Sequence, residues 1–476
     1  MSYIEYDEVG LITKNTKNML IRFTVENFLS FNELTDFNMI ASEESRHSHH
    51  VVKGKTPEDI DLLKTSILYG ANASGKSNLI RAMGFARDFI VHGIAKNRNL
   101  NVKPFKLDSA CSNKNSRFEF EFRCQGKQYA YGFCIDKTQV NEEWLFETGY
   151  ELDVPVFERV GCTISFNFEH PLFLNISAEE KQRIGYEARG TRANLLFLTN
   201  CQERNIQPFH FIYQWFTENL VIIFTNSKHQ ALISLAKLNT EFFNQVLCFF
   251  DFGIHRVQVE EIDFENTNDI PAHVKDEIRA EFPYKQQTIQ FVSVSSRNYV
   301  IEENELGNLK ASKLTTIRKD AVGNEIAFEI SEESEGTQRL MDFIPMLIGL
   351  SKDKVFVIDE IERSLHALLI SKLFDLILNH DTFAHAESQL IASTHEVNLL
   401  DIKNLFRKDE IWFVEKNKAG ESVLYSLANT DVDNLNVVDG YLSGKFCAIP
   451  FIKDVKDLGW KEWMNSFNGY SPLKGC

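Results

Sequence analysis

The spacing of apolar positions changes period several times along the chain, and each change predicts a different element. Residues 19–40 alternate apolar and polar positions, which predicts two strands joined near Ser30 to Glu33. Thr65-Ser66-Ile67-Leu68-Tyr69 reads as a buried strand, and residues 78–93 follow with helical spacing. From 104 to 152 the period returns to two. Phe118-Glu119-Phe120-Glu121-Phe122 alternates cleanly, and turn residues at Gly126-Lys127 and Asp136-Lys137 complete an antiparallel meander. Residues 177–250 switch to helical spacing, with helices expected over 208–218 and 228–248 and a capping box from Ser177 to Glu180. Residues 254–330 read as short strands and loops, and 340–350 as an apolar helix. Val355-Phe356-Val357-Ile358 and Leu390-Ile391-Ala392 do not alternate at all, as strands covered on both faces of a parallel sheet require.

Composition narrows the class. The 476 residues are 43% hydrophobic and 25% charged, ordinary for a globular chain of two or three domains or of one domain with insertions. The 39 phenylalanines point to aromatic cores and strand faces. A net charge of −16 argues against binding nucleic acid by overall charge, so only a local basic cluster such as Lys310, Lys313, Arg318 and Lys319 would serve, a solvated loop being the plainer reading of it. The eight cysteines form no Cys-x-x-Cys pair, which fits a reducing cytosol. No signal pattern and no long apolar run appears, so no membrane partner is expected.

The chemistry starts at residues 68–78, where Gly70-x-x-x-x-Gly75-Lys76-Ser77 matches the phosphate-loop pattern between a strand and a helix. Glycines let consecutive N–H groups turn onto an anion at a helix N-terminus. Lys76 would reach the β- and γ-phosphates of ATP, and the Ser77 hydroxyl would ligate Mg²⁺. Asn72, Ser74 and Asn78 complete the loop. Further on, Ser334-Glu335-Gly336-Thr337 precedes the apolar helix, either as a second anion-binding end or as an ordinary helix cap. The run 354–358 ends in Asp359-Glu360, where α/β sheets place their ligands; Asp359 would hold Mg²⁺ through water and Glu360 would act as general base. Gln389 to Ala392 ends in Ser393-Thr394-His395, and His395 is either a γ-phosphate contact or a structural histidine. The order of these segments, with 25 residues from Ser334 to Asp359 and 36 from Asp359 to His395, suits strand–helix–strand succession in one parallel sheet. Residues 43–56 are polar and carry His47, His49 and His50. No carboxylate or cysteine sits at ligand spacing in the sequence, so a loop beside the nucleotide is expected there rather than a metal site.

Together these segments resemble an ABC-type ATPase head, as in SMC-like repair proteins and the "overcoming lysogenization defect" family. Ser334-Glu335-Gly336-Thr337 is similar to the ABC signature, with Glu and Thr where Gly and Gln are usual, Arg363-Ser364-Leu365-His366 resembles the D-loop, and His395 matches the switch histidine. The phrases Tyr-Gly-Ala-Asn-Ala-Ser-Gly-Lys-Ser-Asn, Glu-Ser-Glu-Gly-Thr-Gln-Arg-Leu and Ile-Asp-Glu-Ile-Glu-Arg-Ser-Leu-His resemble the AAA-labelled, ABC-like ATPases of bacterial anti-phage loci, the PARIS-type ATPase subunit first and the Septu ATPase second. The resemblance implies an α/β fold, a parallel sheet core with an antiparallel β lobe. It covers most of 19–165 and 325–450, and with the change of period along the chain this divides the sequence into 1–169 as the first half of the head, 170–310 as a mixed, largely helical insertion and 311–476 as the second half.

For function, the resemblance implies an ATPase in the bacterial cytoplasm with ATP and Mg²⁺ as cofactors. His395 and Glu360 would be catalytic, and Ser334, Gly336 and Thr337 would reach ATP held by a second copy, so that ATP joins two heads in a homodimer or a higher homo-oligomer. It also implies a scaffold that holds a separate effector nuclease, Toprim-type first and HNH-type second, until a phage-encoded trigger releases it in abortive infection. No nuclease constellation of the chain's own stands out. A DNA-repair or recombination ATPase acting directly on DNA is the alternative, and a transporter subunit fits less well.

Overall fold

The structure is a computed structural model and describes residues 18–446 apart from 55, 57–58, 97, 150–151, 226–231, 251–252, 282–288, 295–296, 304–306, 385 and 431–436. Its centre is a six-stranded sheet in the order Leu220–Ile223, Val355–Ile358, Gln389–Ser393, Thr65–Tyr69, Ile411–Lys416, Ser422–Ser426. The first five strands are parallel and the last is antiparallel. Because side chains alternate across a strand, the apolar runs feed two cores. Val355 and Val357 face one core with the helix Lys76–His92, while Phe356 and Ile358 face another with Phe343, Met346 and Leu347 of the helix Glu335–Leu350. That two-sided burial is why these strands carry no polar alternation.

A seven-stranded antiparallel sheet lies over the first core, built from Met19–Glu26, Thr35–Asn38 and the meander from Ser116 to Phe166. Its inner face is aromatic. Phe23 packs on Phe120 with ring centroids 4.7 Å apart, and Phe122 stacks on Trp215 at 4.3 Å. Gln389 joins the two sheets, accepting from the Leu20 N–H at 2.6 Å and donating to the Leu20 and Leu63 carbonyls. The parallel core and the antiparallel lobe are the α/β head that the sequence predicts.

The middle of the chain divides differently from the expected insertion at 170–310. Its helices Ala178–Gly190 and Phe197–Glu203 pack on the antiparallel lobe, where the fully buried Glu143 accepts from the Phe197 and Leu198 N–H groups at 2.7 and 3.0 Å. Leu220–Ile223 is an edge strand of the parallel core itself. Among the described residues only those of 232–329 build separate layers, with a five-stranded sheet in the order Arg256–Asp263, Leu309–Lys319, Arg297–Glu303, Ile289–Val294 and with Glu325–Glu329 on Leu309–Lys319. Of the helix expected over 228–248, residues 228–231 lie outside the described residues and the rest is two helices, Leu232–Leu238 and Thr240–Phe249. Asn239 caps the second by accepting from the Phe242 N–H at 3.0 Å. The helix Glu335–Leu350 ties this sheet to the core, because Leu340, Met341 and Ile344 on its other flank pack against Val257, Val300 and Leu314. Ser177 caps its helix through the Glu180 N–H, but the Glu180 side chain reaches Arg183, so only half of the expected capping box forms.

Lys310, Lys313 and Arg318 do not make a basic patch. Lys313 lies 2.7 Å from Glu329, Arg318 2.6 Å from Glu333 and Lys310 3.3 Å from Glu261. A cation already paired with a carboxylate has little field left for phosphate. Among the described residues no helix is long and apolar enough to cross a membrane.

Candidate functional site

The parallel strands bring their carboxyl ends to one edge, where Tyr69, Ile358 and Ser393 each hand over to a polar segment and Ile223 to Phe224 and Thr225. The loop after Tyr69 leads into the helix Lys76–His92, whose first N–H groups have no partner within the helix. Gly75 has φ 123°, and a Cβ there would lie 2.1 Å from Ser422 Oγ, so no other residue fits. Two serines brace the loop: Ser422 Oγ donates to the Ser74 carbonyl at 2.5 Å, and Asn78 Nδ2 donates to Ser30 Oγ at 2.8 Å. Asn72 stands exposed on the loop, and Ser74 is buried beneath it. Lys76 is almost wholly buried and curls back over the loop, donating to the Gly70 carbonyl at 2.7 Å. Burial lowers the Lys76 ammonium to about 8, against the opposing pull of Glu362, Asp359 and Glu360.

Asp359 is the hub of the edge. Its Oδ1 accepts from Ser77 Oγ at 2.9 Å and from Ser393 Oγ at 2.7 Å, and Thr225 Oγ1 lies 3.4 Å from Oδ2. Residues from four strand ends thus meet on one carboxylate. A hydroxyl and a carboxylate converging at the helix N-terminus are the hard oxygen donors that Mg²⁺ takes, so the residues present fit that ion. Glu360 follows at φ 49°, a left-handed backbone held by its N–H donating to Ser393 Oγ at 2.8 Å. This fixes where its carboxylate leaves the strand. His395 is anchored through its backbone N–H, which donates to Glu362 Oε1 at 2.7 Å. The residue is exposed at the edge, and partial desolvation of its ring, with Lys76 nearby, holds its pKa below the usual histidine value.

The signature segment stands apart from this cluster. Ser334 is exposed and caps the helix Glu335–Leu350, its Oγ accepting from the Thr337 N–H at 3.2 Å and lying 2.9 Å from Thr337 Oγ1. Gly336 sits against the segment that carries Ser364, where a Cβ would lie 2.6 Å from the Ser364 carbonyl oxygen. Ser364 Oγ in turn donates to Glu335 at 3.0 Å. Among the described residues the segment's contacts are with Ser364 and its own helix.

Sequence reasoning missed four contributors. Ser30 and Ser422 lie far from the motif in the chain and carry no pattern. Thr225 occupies the strand end beside Asp359, a place for which no sequence motif stood out. Glu362 is the strongest charge supporting Lys76, and the acidic repeat Asp359-Glu360-x-Glu362 was its signal. The expectation that His47, His49 and His50 lie beside the nucleotide is wrong. They stand at the amino ends of the strands, where the Lys64 N–H donates to the His50 carbonyl and His50 contacts Glu410.

No curated protein matches the chain. Among solved structures it is similar to the SMC head domain from Thermotoga maritima, at 13% identity and a TM-score of 0.33 over 86% of this chain and 98% of that one. It is also similar to the Smc head domain of Pyrococcus furiosus, solved with an extended coiled coil and bound to the C-terminal domain of ScpA, at 12% identity and a TM-score of 0.38 over 90% and 99%. A third similar structure is the Smc head domain of Pyrococcus yayanosii, at 10% identity and a TM-score of 0.36 over 86% and 97%. The family described as "AAA domain, putative AbiEii toxin, Type IV TA system" matches residues 66–401, a span that holds every candidate site residue from Gly70 to His395. That span is well over half of the 476 residues, and the chain belongs to this AAA-domain family.

Proposed function

We propose that the chain binds and hydrolyses ATP as the sensor and scaffold subunit of an anti-phage defence complex, in the manner of PARIS-type ATPases. The observation that carries the ATPase reading is the 2.9 Å contact between Ser77 and Asp359, which joins the phosphate loop to the acidic strand end across 282 residues of chain. Membership of a family described by a toxin and toxin–antitoxin system supports the defence reading.

The loop N–H groups and Lys76 would hold the β- and γ-phosphates. Ser77 and Asp359 would hold Mg²⁺, which neutralises charge developing on the phosphates. Glu360, its backbone fixed by Ser393, would take the proton of the attacking water as general base. His395 would steady the γ-phosphate. Ser334 lies exposed at a helix N-terminus away from its own phosphate loop, which suits contact with ATP held by a second copy. ATP then joins two heads, because it favours the closed pair over the open one. Effector release on recognition of a phage protein would follow from that change of assembly, with the nuclease, Toprim-type or HNH-type, on another chain.

Glu360→Gln tests the reading. It should bind ATP normally, hydrolyse it about a hundredfold or more slowly, and accumulate as dimers or larger assemblies in light scattering. Hydrolysis at the wild-type rate would remove Glu360 from the role. ATP turnover stimulated by DNA, with steep salt dependence, would instead favour a repair enzyme.

A further inference from the structure

At the amino ends of the core strands, opposite the phosphate loop, lies a cluster that the ATPase chemistry does not use. The turn Ser48–His50 and the residue before it bring three imidazoles together, with one ring nitrogen from each of His47, His49 and His50 within 4.8 Å of the others. We propose that these three histidines bind a first-row divalent cation, zinc foremost, in a site separate from the nucleotide.

Three observations support a ligand role. First, His50 has no exposed surface, and its Nδ1 lies 3.0 and 3.1 Å from the two carboxylate oxygens of Glu410. A carboxylate on one ring nitrogen fixes the tautomer and raises the donor power of the other, as in metal-bound histidines. Second, that other nitrogen, His50 Nε2, is buried without a hydrogen-bond partner, and so is His47 Nε2. Buried ring nitrogens are rarely left unpaired, and one cation would satisfy both. Third, the rings are gathered rather than dispersed. His47 and His50 stack with centroids 5.0 Å apart, and His49 meets His50 edge-on at 4.5 Å.

Three neutral imidazoles with a fourth position left for water are a donor set that zinc accepts readily. Zinc–nitrogen bonds of about 2.0–2.1 Å place tetrahedral nitrogens about 3.3 Å apart. The cluster must therefore contract. His49 is the ring best placed to do so, being exposed and held by a 2.8 Å contact to Asn379 and an edge-on contact to His50. Binding would tie this turn to Glu410, and through it to the first residue of the strand Ile411–Lys416.

The test uses the full chain, stripped with chelator and dialysed against zinc without nucleotide. One equivalent of zinc per chain should survive gel filtration, and cobalt in its place should give the intense visible bands of a tetrahedral ion. His49→Asn changes an exposed ring and His47→Gln a half-buried one, so both should keep the circular dichroism of the parent. Each should weaken zinc at least about tenfold, and the double variant should retain none. No stoichiometric zinc on the parent overturns the proposal. So does a double variant that still holds its equivalent, because the ion would then sit elsewhere, as at Ser77 and Asp359.

Discussion

The two ends of the parallel sheet do opposite things with buried polar groups. At the carboxyl end, Lys76, Ser77, Asp359 and Glu360 are gathered around a helix N-terminus, with Ser77 donating to Asp359 at 2.9 Å and Lys76 folded over the loop onto the Gly70 carbonyl at 2.7 Å, an ammonium with no carboxylate hydrogen-bonded to it among the described residues. At the amino end, Arg407 donates to Asp409 at 2.9 and 2.7 Å and to the carbonyls of Ser42, Glu44 and Arg46, while Asp409 also accepts from the Ser42 N–H at 2.7 Å. One end holds charge ready for a ligand, and the other spends it on fastening the 42–50 segment to the sheet. The same strands thus separate the candidate nucleotide site from the Arg407 network, and substitutions at these two places should separate as well.

Lys76→Ala should break the carboxyl end most completely. It removes the only motif lysine, and ATP affinity should fall more than about a thousandfold, on the order of 4 kcal/mol. Calorimetric titration would read the loss, and the unfolding midpoint without nucleotide should stay near that of the parent or rise, because burying an ammonium is itself costly. Retained ATP binding would mean that the loop N–H groups suffice and that Lys76 serves the fold.

Arg407→Ala is the counterpart at the amino end. Its side chain is about 1% exposed, and its removal strands Asp409 and three carbonyls. A broken buried pair costs about 3–5 kcal/mol, so denaturant unfolding should show a loss of that size. ATP affinity of the molecules that remain folded should be unchanged. A parallel fall in affinity would show that the two ends are coupled through the strands between them.

The two ends also differ in how far the sequence betrays them. The carboxyl end was legible because a phosphate loop needs glycines, lysine and serine at fixed spacing, and because Asp359 closes an unbroken apolar run and the polar Ser393-Thr394-His395 follows another. The amino end was not. His50 and Glu410 are 360 residues apart, and nothing local marks them as partners. The same holds for Ser422 on Ser74. The strand Leu220–Ile223 was placed outside the core because four residues give too short a pattern to tell a core strand from an insertion. The helix Ala272–Glu281 was missed for a related reason: its apolar stripe amounts to Val274 and Ile278. Long-range pairing is a property of the fold, and period and spacing register only what lies within one element.

The smallest effect sharpens the carboxyl end further. Burial holds Lys76 at about 8 before ATP arrives, whereas phosphate oxygens around the ammonium would return it toward its usual 10.5. Binding then takes up a proton wherever the free lysine is partly neutral. Below about pH 7 the lysine is charged in both states and affinity should be flat. As pH rises through 8, affinity should fall by up to tenfold per unit, about 1.4 kcal/mol. Titrations at pH 8.5 in two buffers of different ionisation enthalpy should show net proton uptake, and the uptake should vanish in Lys76→Arg, whose guanidinium stays charged throughout. Flat affinity from pH 7 to 9 would place the Lys76 pKa above that range and make the loop carbonyls, which it now contacts, its main partners.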